Sequence, residues 1–193
     1  MGGGVEASAA GLHPLLAGRW SPTRFDVSHS VSDTDVELIL EAARWAPSAG
    51  NSQPWAFIVG TKGADTHARL TRHLAGSARP WAVDASVLVA NLAHRYVEDT
   101  EWEYSEFSLY DLGQAVAHMT IQAQALGLLA RQFRAFDREA LQADFAVPEH
   151  WEIATMTAIG RPASGTPASV DAEAPARQRR ALEDLLWPGS REL

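Results

Sequence analysis

EAARWAPSAGNSQPWAFIV, running from Glu41 to Val59, holds the end of a helix, a polar turn and the start of a strand. The helix stops at Pro47, which lacks an amide donor and clashes with the preceding turn. Ser48, Ala49, Gly50, Asn51, Ser52 and Gln53 follow as a loop of small and amide side chains. Pro54 and Trp55 then open a short apolar strand, expected over Trp55 to Gly60. Small residues let a planar ligand come close to the backbone. Asn51 and Gln53 each offer a donor and an acceptor suited to the edge of a heterocycle. An ordinary helix-to-strand turn with polar punctuation has the same features.

On its N-terminal side, Ser32 to Ala46 reads as a helix with Val36, Ile39, Leu40 and Ala43 on one face. Thr34 and Glu37 have capping-box spacing, with Ser32 and Asp33 as alternative caps. Downstream, Thr66 to Ala75 reads as a polar helix, and Asp84 to Ala93 contains a buried strand. Ser108 to Leu126 is a long amphipathic helix closed by Gly127. Leu128 to Phe133 and Glu152 to Gly160 are strand candidates, with a helix over Asp137 to Phe145 between them. His13 to Arg19 and Ala181 to Trp187 are short helix candidates. Arg161 to Pro175 is rich in Pro, Ala and Ser and reads as an extended arm. The order lacks a simple βαβ rhythm, so the expected class is α+β, with a central sheet and helices on both faces. Neither GxGxxG after the first strand nor a Walker A sequence is present.

The chain has 193 residues, 46% hydrophobic and 21% charged, which fits one globular domain. Its formal net charge of -8 argues against a general nucleic-acid or anionic-membrane binder, though a local basic pocket is compatible with it. The absence of cysteine rules out disulfides, thiolate catalysis and cysteine metal sites, and suits a cytoplasmic location. Met1 to Gly11 carries Glu6 and no basic start, so it reads as a tail rather than a signal peptide. Asp111, Gln114, His118, Gln122 and Gln124 interrupt the apolar run from Leu109 to Ala130, and no membrane span is expected. No histidine pair has metal-ligand spacing, and no metal is expected.

The AARWAPSA helix end, followed by N-x-Q-P-W and a hydrophobic strand, closely resembles the signature of the nitroreductase family. The resemblance implies an α+β fold with a mostly antiparallel sheet flanked by helices. It also implies an intertwined homodimer with FMN in two interface pockets. The loop matching Pro47, Ser48, Ala49, Asn51 and Gln53 lies against the flavin there, in many members the flavin held mainly by the other subunit. Arg19, Trp20, Ser21 and Phe25 are similar to the family's R-x-S-x-(R/K)-x-F, whose basic and hydroxyl groups hold the FMN phosphate and ribityl chain. A guanidinium has paired donors that match phosphate oxygens. Thr23 stands where the family has Arg or Lys, and Arg24 comes one place late. Either Arg24 reaches round, or Thr23 puts a hydroxyl contact in place of an ion pair, at roughly 1–3 kcal/mol of affinity.

Other segments extend the resemblance. Arg177, Arg179 and Leu182 fit K/R-x-R-x-P-L, whose cations close over the phosphate, with Ala181 in place of Pro. Three arginines in this short run also suit a solvated terminus. Phe133 to Asp137 is similar to G-G-F-D, where a glycine amide approaches flavin N5; Arg134 and Ala135 replace the glycines. Arg79, just before Pro80-Trp81, is the nearest match to a cation that stabilises reduced flavin in many relatives. Tyr110 to Leu128 resembles the long helix of the dimer core, with Leu112, Val116, Met119 and Ala123 packed and His118 a polar helix position rather than a ligand or base. Glu98 to Glu106 (EDTEWEYSE) is either an exposed acidic loop or the roof of a substrate pocket.

The implied activity is FMN-dependent reduction of nitroaromatics, quinones or other electron-poor small molecules by NAD(P)H in a ping-pong cycle. Flavin N5 carries the hydride and no catalytic side chain is required. The alternatives are a flavin-fragmenting, dehalogenating or dehydrogenating member, or a flavin-binding protein with little turnover. Residues 1–12 are expected to be a disordered tail, 13–162 the FMN-binding domain, and 163–193 an arm that wraps the partner subunit.

Overall fold

The structure is a computed structural model and describes residues 11–164 and 179–188. Four strands, β1 (Trp55–Thr61), β2 (Val87–His94), β3 (Leu129–Phe133) and β4 (Trp151–Gly160), pair in the order β1-β2-β4-β3. Every neighbouring pair is antiparallel. β2, VLVANLAH, is buried along almost its whole length because the sheet is covered on both sides. Leu88, Ala90 and Leu92 face a cluster that includes Leu70 and Leu141. These two come from α3 (Asp65–Arg72) and α6 (Arg138–Asp144), and α4 (Arg79–Ala82) adds Ala82. On the other side, Val87 and Val89 pack with Ile39 and Ala43 of α2 (Asp33–Arg44) and Met119 of α5 (Ser108–Ala125). A short α1 covers Pro14–Gly18. The α+β class is therefore as expected.

The central pairing contains one irregularity. Asn91 pairs with Thr155 and Leu92 with Ile153, so Ala154 has no partner of its own. This bulge shifts the alternation by one place. Ile153 and Met156, three residues apart, both join the cluster that contains Leu70. On the opposite face the fully buried Asn91 donates through Nδ2 to Thr155 Oγ1 at 3.0 Å and Thr157 Oγ1 at 2.9 Å.

Several boundaries differ from the sequence expectation for local reasons. The N-cap of α2 is Ser32, whose Oγ accepts from Asp35 N–H at 3.1 Å and donates to the Asp35 carboxylate at 2.8 Å. The Thr34–Glu37 frame is not used, because the helix has already begun at Asp33. Helix α3 stops at Arg72 rather than Ala75. The backbone beyond it turns to pair with the loop after β3: Ala75 N–H donates to Ala135 O at 3.0 Å, and Asp137 N–H to His73 O at 2.9 Å. Helix α4 was not foreseen; a single turn is too short to show a periodicity. Near the C-terminus, Leu182–Leu185 form only one 3-10 turn.

On α5, Leu112, Val116, Met119 and Ala123 are buried, as expected, and His118 is exposed. Gly127 ends the helix with φ +76°, the left-handed conformation glycine adopts without strain. Gly60 permits the close approach of α3 to β1, since a Cβ there would lie 2.5 Å from the His67 backbone nitrogen. Among the described residues no helix is long and apolar enough to cross a membrane, and no group of three potential metal ligands occurs.

Candidate functional site

The turn after α2 is built before it is entered. The Glu41 carboxylate accepts from Arg44 Nε at 2.7 Å and Nη2 at 2.6 Å, and from Trp45 Nε1 at 2.7 Å. The Arg44 hydrogen bonds, then that of Trp45, hold the Glu41 pKa at about 2. A carboxyl with a depressed folded pKa contributes fully above its ordinary value and loses that contribution as pH falls through the folded one. An NMR titration should therefore find Glu41 ionised until about pH 2. Arg44→Met should raise its midpoint towards the ordinary 4.5, and an unmoved midpoint would disprove the clamp.

Beyond the clamp, Ala49–Asn51 form a 3-10 turn. Gly50, Asn51 and Gln53 take φ values of +58°, +57° and +48°. Two of these residues are not glycine, so the left-handed backbone must be held by its surroundings. Ala49 N–H donates to Asp111 Oδ2 at 3.0 Å, and Gln53 N–H to Ser48 Oγ at 3.0 Å. Tyr104 Oη reaches Ser52 O at 3.4 Å. Gln53 Nε2 donates to Asn51 O and Oδ1 at 3.2 and 3.3 Å. That leaves Asn51 Nδ2 and Gln53 Oε1 as one donor and one acceptor on an exposed edge. A Cβ built on Gly50 would meet nothing within 4 Å. The turn is rigid, polar and open, so it fits the edge of a flat heterocycle such as a flavin.

A second group forms around Arg19 to Asp26. Phe25 and Pro22 are buried, whereas Ser21, Thr23 and Arg24 are exposed. Arg19 Nη1 lies 3.5 Å from Ser21 Oγ, and Trp20 is half-buried. Backbone contacts tie the turn to the end of β4: Asp26 N–H donates to Arg161 O at 2.9 Å and Ala163 N–H to Arg24 O at 3.2 Å. A guanidinium and a hydroxyl on one fixed turn are a donor set suited to a phosphate. Arg131, which the sequence reading passed over, donates from Nη1 to Pro22 O at 3.3 Å. Its guanidinium carbon lies 4.3 Å from the centroid of the Trp81 ring. A charged residue inside the otherwise apolar start of β3 was the available signal.

Arg79 Nη2 donates to Arg72 O at 3.1 Å, at the C-terminus of α3. Arg134 lies over its neighbour Phe136 at 4.5 Å and donates to Phe136 O at 3.0 Å. Its pKa is lowered by burial and then by Arg138. The Ala135 carbonyl is taken by Ala75 N–H. Arg179 is exposed, and Arg177 lies outside the described residues.

The two groups do not meet within one chain. The 48–53 turn precedes Trp55, which pairs with Ala93, while Phe25 bridges to Pro162 beyond the other end of β4. β2 spans that separation, on the order of 25 Å at the usual rise of a strand. Each chain thus presents the two turns at opposite ends of its sheet.

Beside the 48–53 turn, His94 is stacked between Tyr104 at 3.9 Å and Trp151 at 4.7 Å. Burial, then His150, lowers its pKa. A cavity of about 890 Å³ nearby is lined by Tyr96, Glu98, Asp99, Glu101, Glu149 and His150, among others. The acidic segment therefore forms a wall as well as an exposed loop.

A sequence profile of the nitroreductase family matches residues 16–90, a span that contains both turns. A Streptomyces coelicolor protein named for NADH dehydrogenase/NAD(P)H nitroreductase activity is 29% identical over 178 residues, 80% of this chain and 87% of its own. The crystal structure of an oxidoreductase containing FMN superposes with a TM-score of 0.81 at 28% identity, covering 92% of this chain and 91% of the other. In sequence and in fold the chain is similar to the nitroreductase family. A nitroreductase-type protein of Desulfovibrio desulfuricans, solved in complex with FMN, is also 28% identical, with a TM-score of 0.72 over 90% of this chain and 95% of that one.

Proposed function

We propose that this nitroreductase-like chain is an FMN-dependent oxidoreductase that takes electrons from NAD(P)H. Its acceptors are electron-poor small molecules such as nitroaromatics and quinones, reduced in a ping-pong cycle. The observation that carries the reading is the pair of turns at opposite ends of one sheet: a fixed, open amide turn and a turn bearing Arg19 and Ser21. Two copies in a homodimer would bring one of each together. When bound, FMN supplies the redox chemistry.

The chain's residues bind and orient. Arg19 and Ser21, joined by Arg177 and Arg179 from the arm at 163–193, grip the phosphate. Thr23 adds a hydroxyl, and Trp20 packs beside them. Pro47, Ser48, Ala49, Asn51 and Gln53 edge the ring from the partner copy. The domain is 13–162, with 1–12 a tail, and the cysteine-free composition fits a cytoplasmic protein. The carboxylates at Glu98, Asp99 and Glu101 would disfavour anionic acceptors by like-charge repulsion.

The protein reconstituted with FMN should be yellow, bleach on anaerobic titration with NADPH, and regain colour when a quinone is added. It should sediment at twice the 20.9 kDa chain mass. A colourless protein that takes up no FMN would end this reading. Arg134 and Ala135 standing where the family has glycines, and Thr23 where it has a cation, favour a second one: a flavin-binding protein with little turnover. A yellow protein that NADPH does not bleach would support that.

A further inference from the structure

The segment after β2 is a fixed hairpin. Tyr96 pairs with Glu103, Val97 N–H donates to Trp102 O at 2.8 Å, and Tyr104 N–H donates to Arg95 O at 2.9 Å. It faces the Pro148–His150 turn across the cavity of about 890 Å³. The two walls are joined at their base, where Arg95 N–H and Tyr96 N–H both donate to His150 O, at 2.8 and 3.2 Å. A space of this size holds a small organic molecule.

The lining carries one sign of charge. Glu98, Asp99 and Glu101 come from the hairpin and Glu149 from the turn, and no Lys or Arg is among the lining residues. Among the described residues, none of these carboxylates forms an ion pair. Arg95, beside them in sequence, has its Nε 3.3 Å from Glu152 and its guanidinium carbon 6.0 Å from the centroid of the Tyr96 ring. Unpaired carboxylates on low-dielectric walls focus a negative potential into the space between them. They do not converge on one point, since among the described residues no three potential metal ligands group together. The charge is spread along the cleft, which suits an organic cation rather than a metal ion. Tyr96 adds an aromatic wall, and aromatic faces attract such cations.

The cleft borders the amide turn. The His150 ring lies 5.4 Å from that of His94, His94 stacks on Tyr104 at 3.9 Å, and Tyr104 Oη reaches Ser52 O at 3.4 Å. We propose that this cleft selects the electron acceptor, and that the acceptors it takes are aromatic cations. The proposal rests on the flavin reading above, in which the amide turn edges the ring, and adds to it the charge of the substrate.

Two measurements test it. The first needs no flavin. Benzyltrimethylammonium, which carries no reducible group, and benzenesulfonate are titrated separately into the protein, followed by the ring resonances of His150. The cation should shift them to saturation at low salt, and the anion should leave them in place. The second uses the FMN-loaded protein with NADPH and three nitrobenzenes: (4-nitrobenzyl)trimethylammonium, 4-nitrobenzyl alcohol and 4-nitrobenzenesulfonate. Each nitro group takes two electrons and two protons to give nitroso and water. NADPH supplies both electrons and one proton as hydride, and solvent supplies the other proton. The cation should exceed the anion in kcat/KM by about tenfold or more at low ionic strength, and by only about twofold at roughly 0.5 M salt. The combined variant Glu98→Gln, Glu101→Gln, Glu149→Gln should bring that ratio close to unity at low salt. These side chains are exposed, so folding should be spared; if it is not, the salt dependence of the parent decides. A preference that survives high salt or the combined variant overturns the proposal, as does a cation that leaves His150 unmoved. Reduction of the neutral alcohol with cation and anion treated alike overturns it and leaves the flavin reading standing. A protein that binds the cation yet reduces none of the three overturns the flavin reading, and the acceptor role of the cleft with it.

Discussion

Arg19→Ala should give a folded protein that loses FMN on gel filtration, with affinity lower by roughly ten- to a hundredfold. The size follows from a charge-assisted hydrogen bond, about 1.5–3 kcal/mol, at tenfold per 1.4 kcal/mol. Folding should be spared because backbone contacts hold the turn: Asp26 to Arg161, Arg24 to Ala163, and the buried Phe25. The measurements are the ratio of flavin to protein absorbance after gel filtration and the thermal midpoint of the apoprotein. Equal flavin content in variant and parent would refute the placement, and a large fall in the apoprotein midpoint would make Arg19 structural.

Asp111→Ala should damage both stability and flavin retention. Asp111 is buried on α5 at 1% exposure and accepts from Ala49 N–H. Its other oxygen lies 3.4 Å from Gln114 Nε2. Removing the carboxylate leaves the part-buried Ala49 N–H without this partner, at about 1–3 kcal/mol. In a domain of this size that lowers the melting midpoint by roughly 2–12 °C. The turn should also relax, since Gly50, Asn51 and Gln53 all hold left-handed backbone beside this anchor. Asp111→Asn keeps an acceptor and should recover most of both losses. A variant with the parent's melting midpoint and flavin content would show that the anchor is unimportant.

Where periodicity was long, the sequence was legible. α5 and β2 announce themselves because packing on one or both faces demands apolar residues at regular intervals. The amide turn from Ser48 to Gln53 was visible as a break between two such patterns. Less legible were features set by contacts distant in sequence. The Asp111–Ala49 hydrogen bond links residues 62 apart, and no local pattern encodes it. Arg131 was hidden inside a segment read as a strand, and its partner Pro22 is 109 residues away. The Thr34–Glu37 cap was misplaced because the competing Ser32–Asp35 pair has the same spacing, and sequence alone does not rank them. That the two turns lie at opposite ends of the sheet follows only from the strand register.

That separation has a genetic corollary. In the proposed dimer, each reaction centre borrows its ring edge from one copy and its phosphate grip from the other. A cell carrying two defective alleles, one broken at Arg19 and one at Asp111, would assemble mixed pairs in which a single centre inherits both intact ends. Two individually dead copies could thus sustain a partial phenotype that neither shows alone.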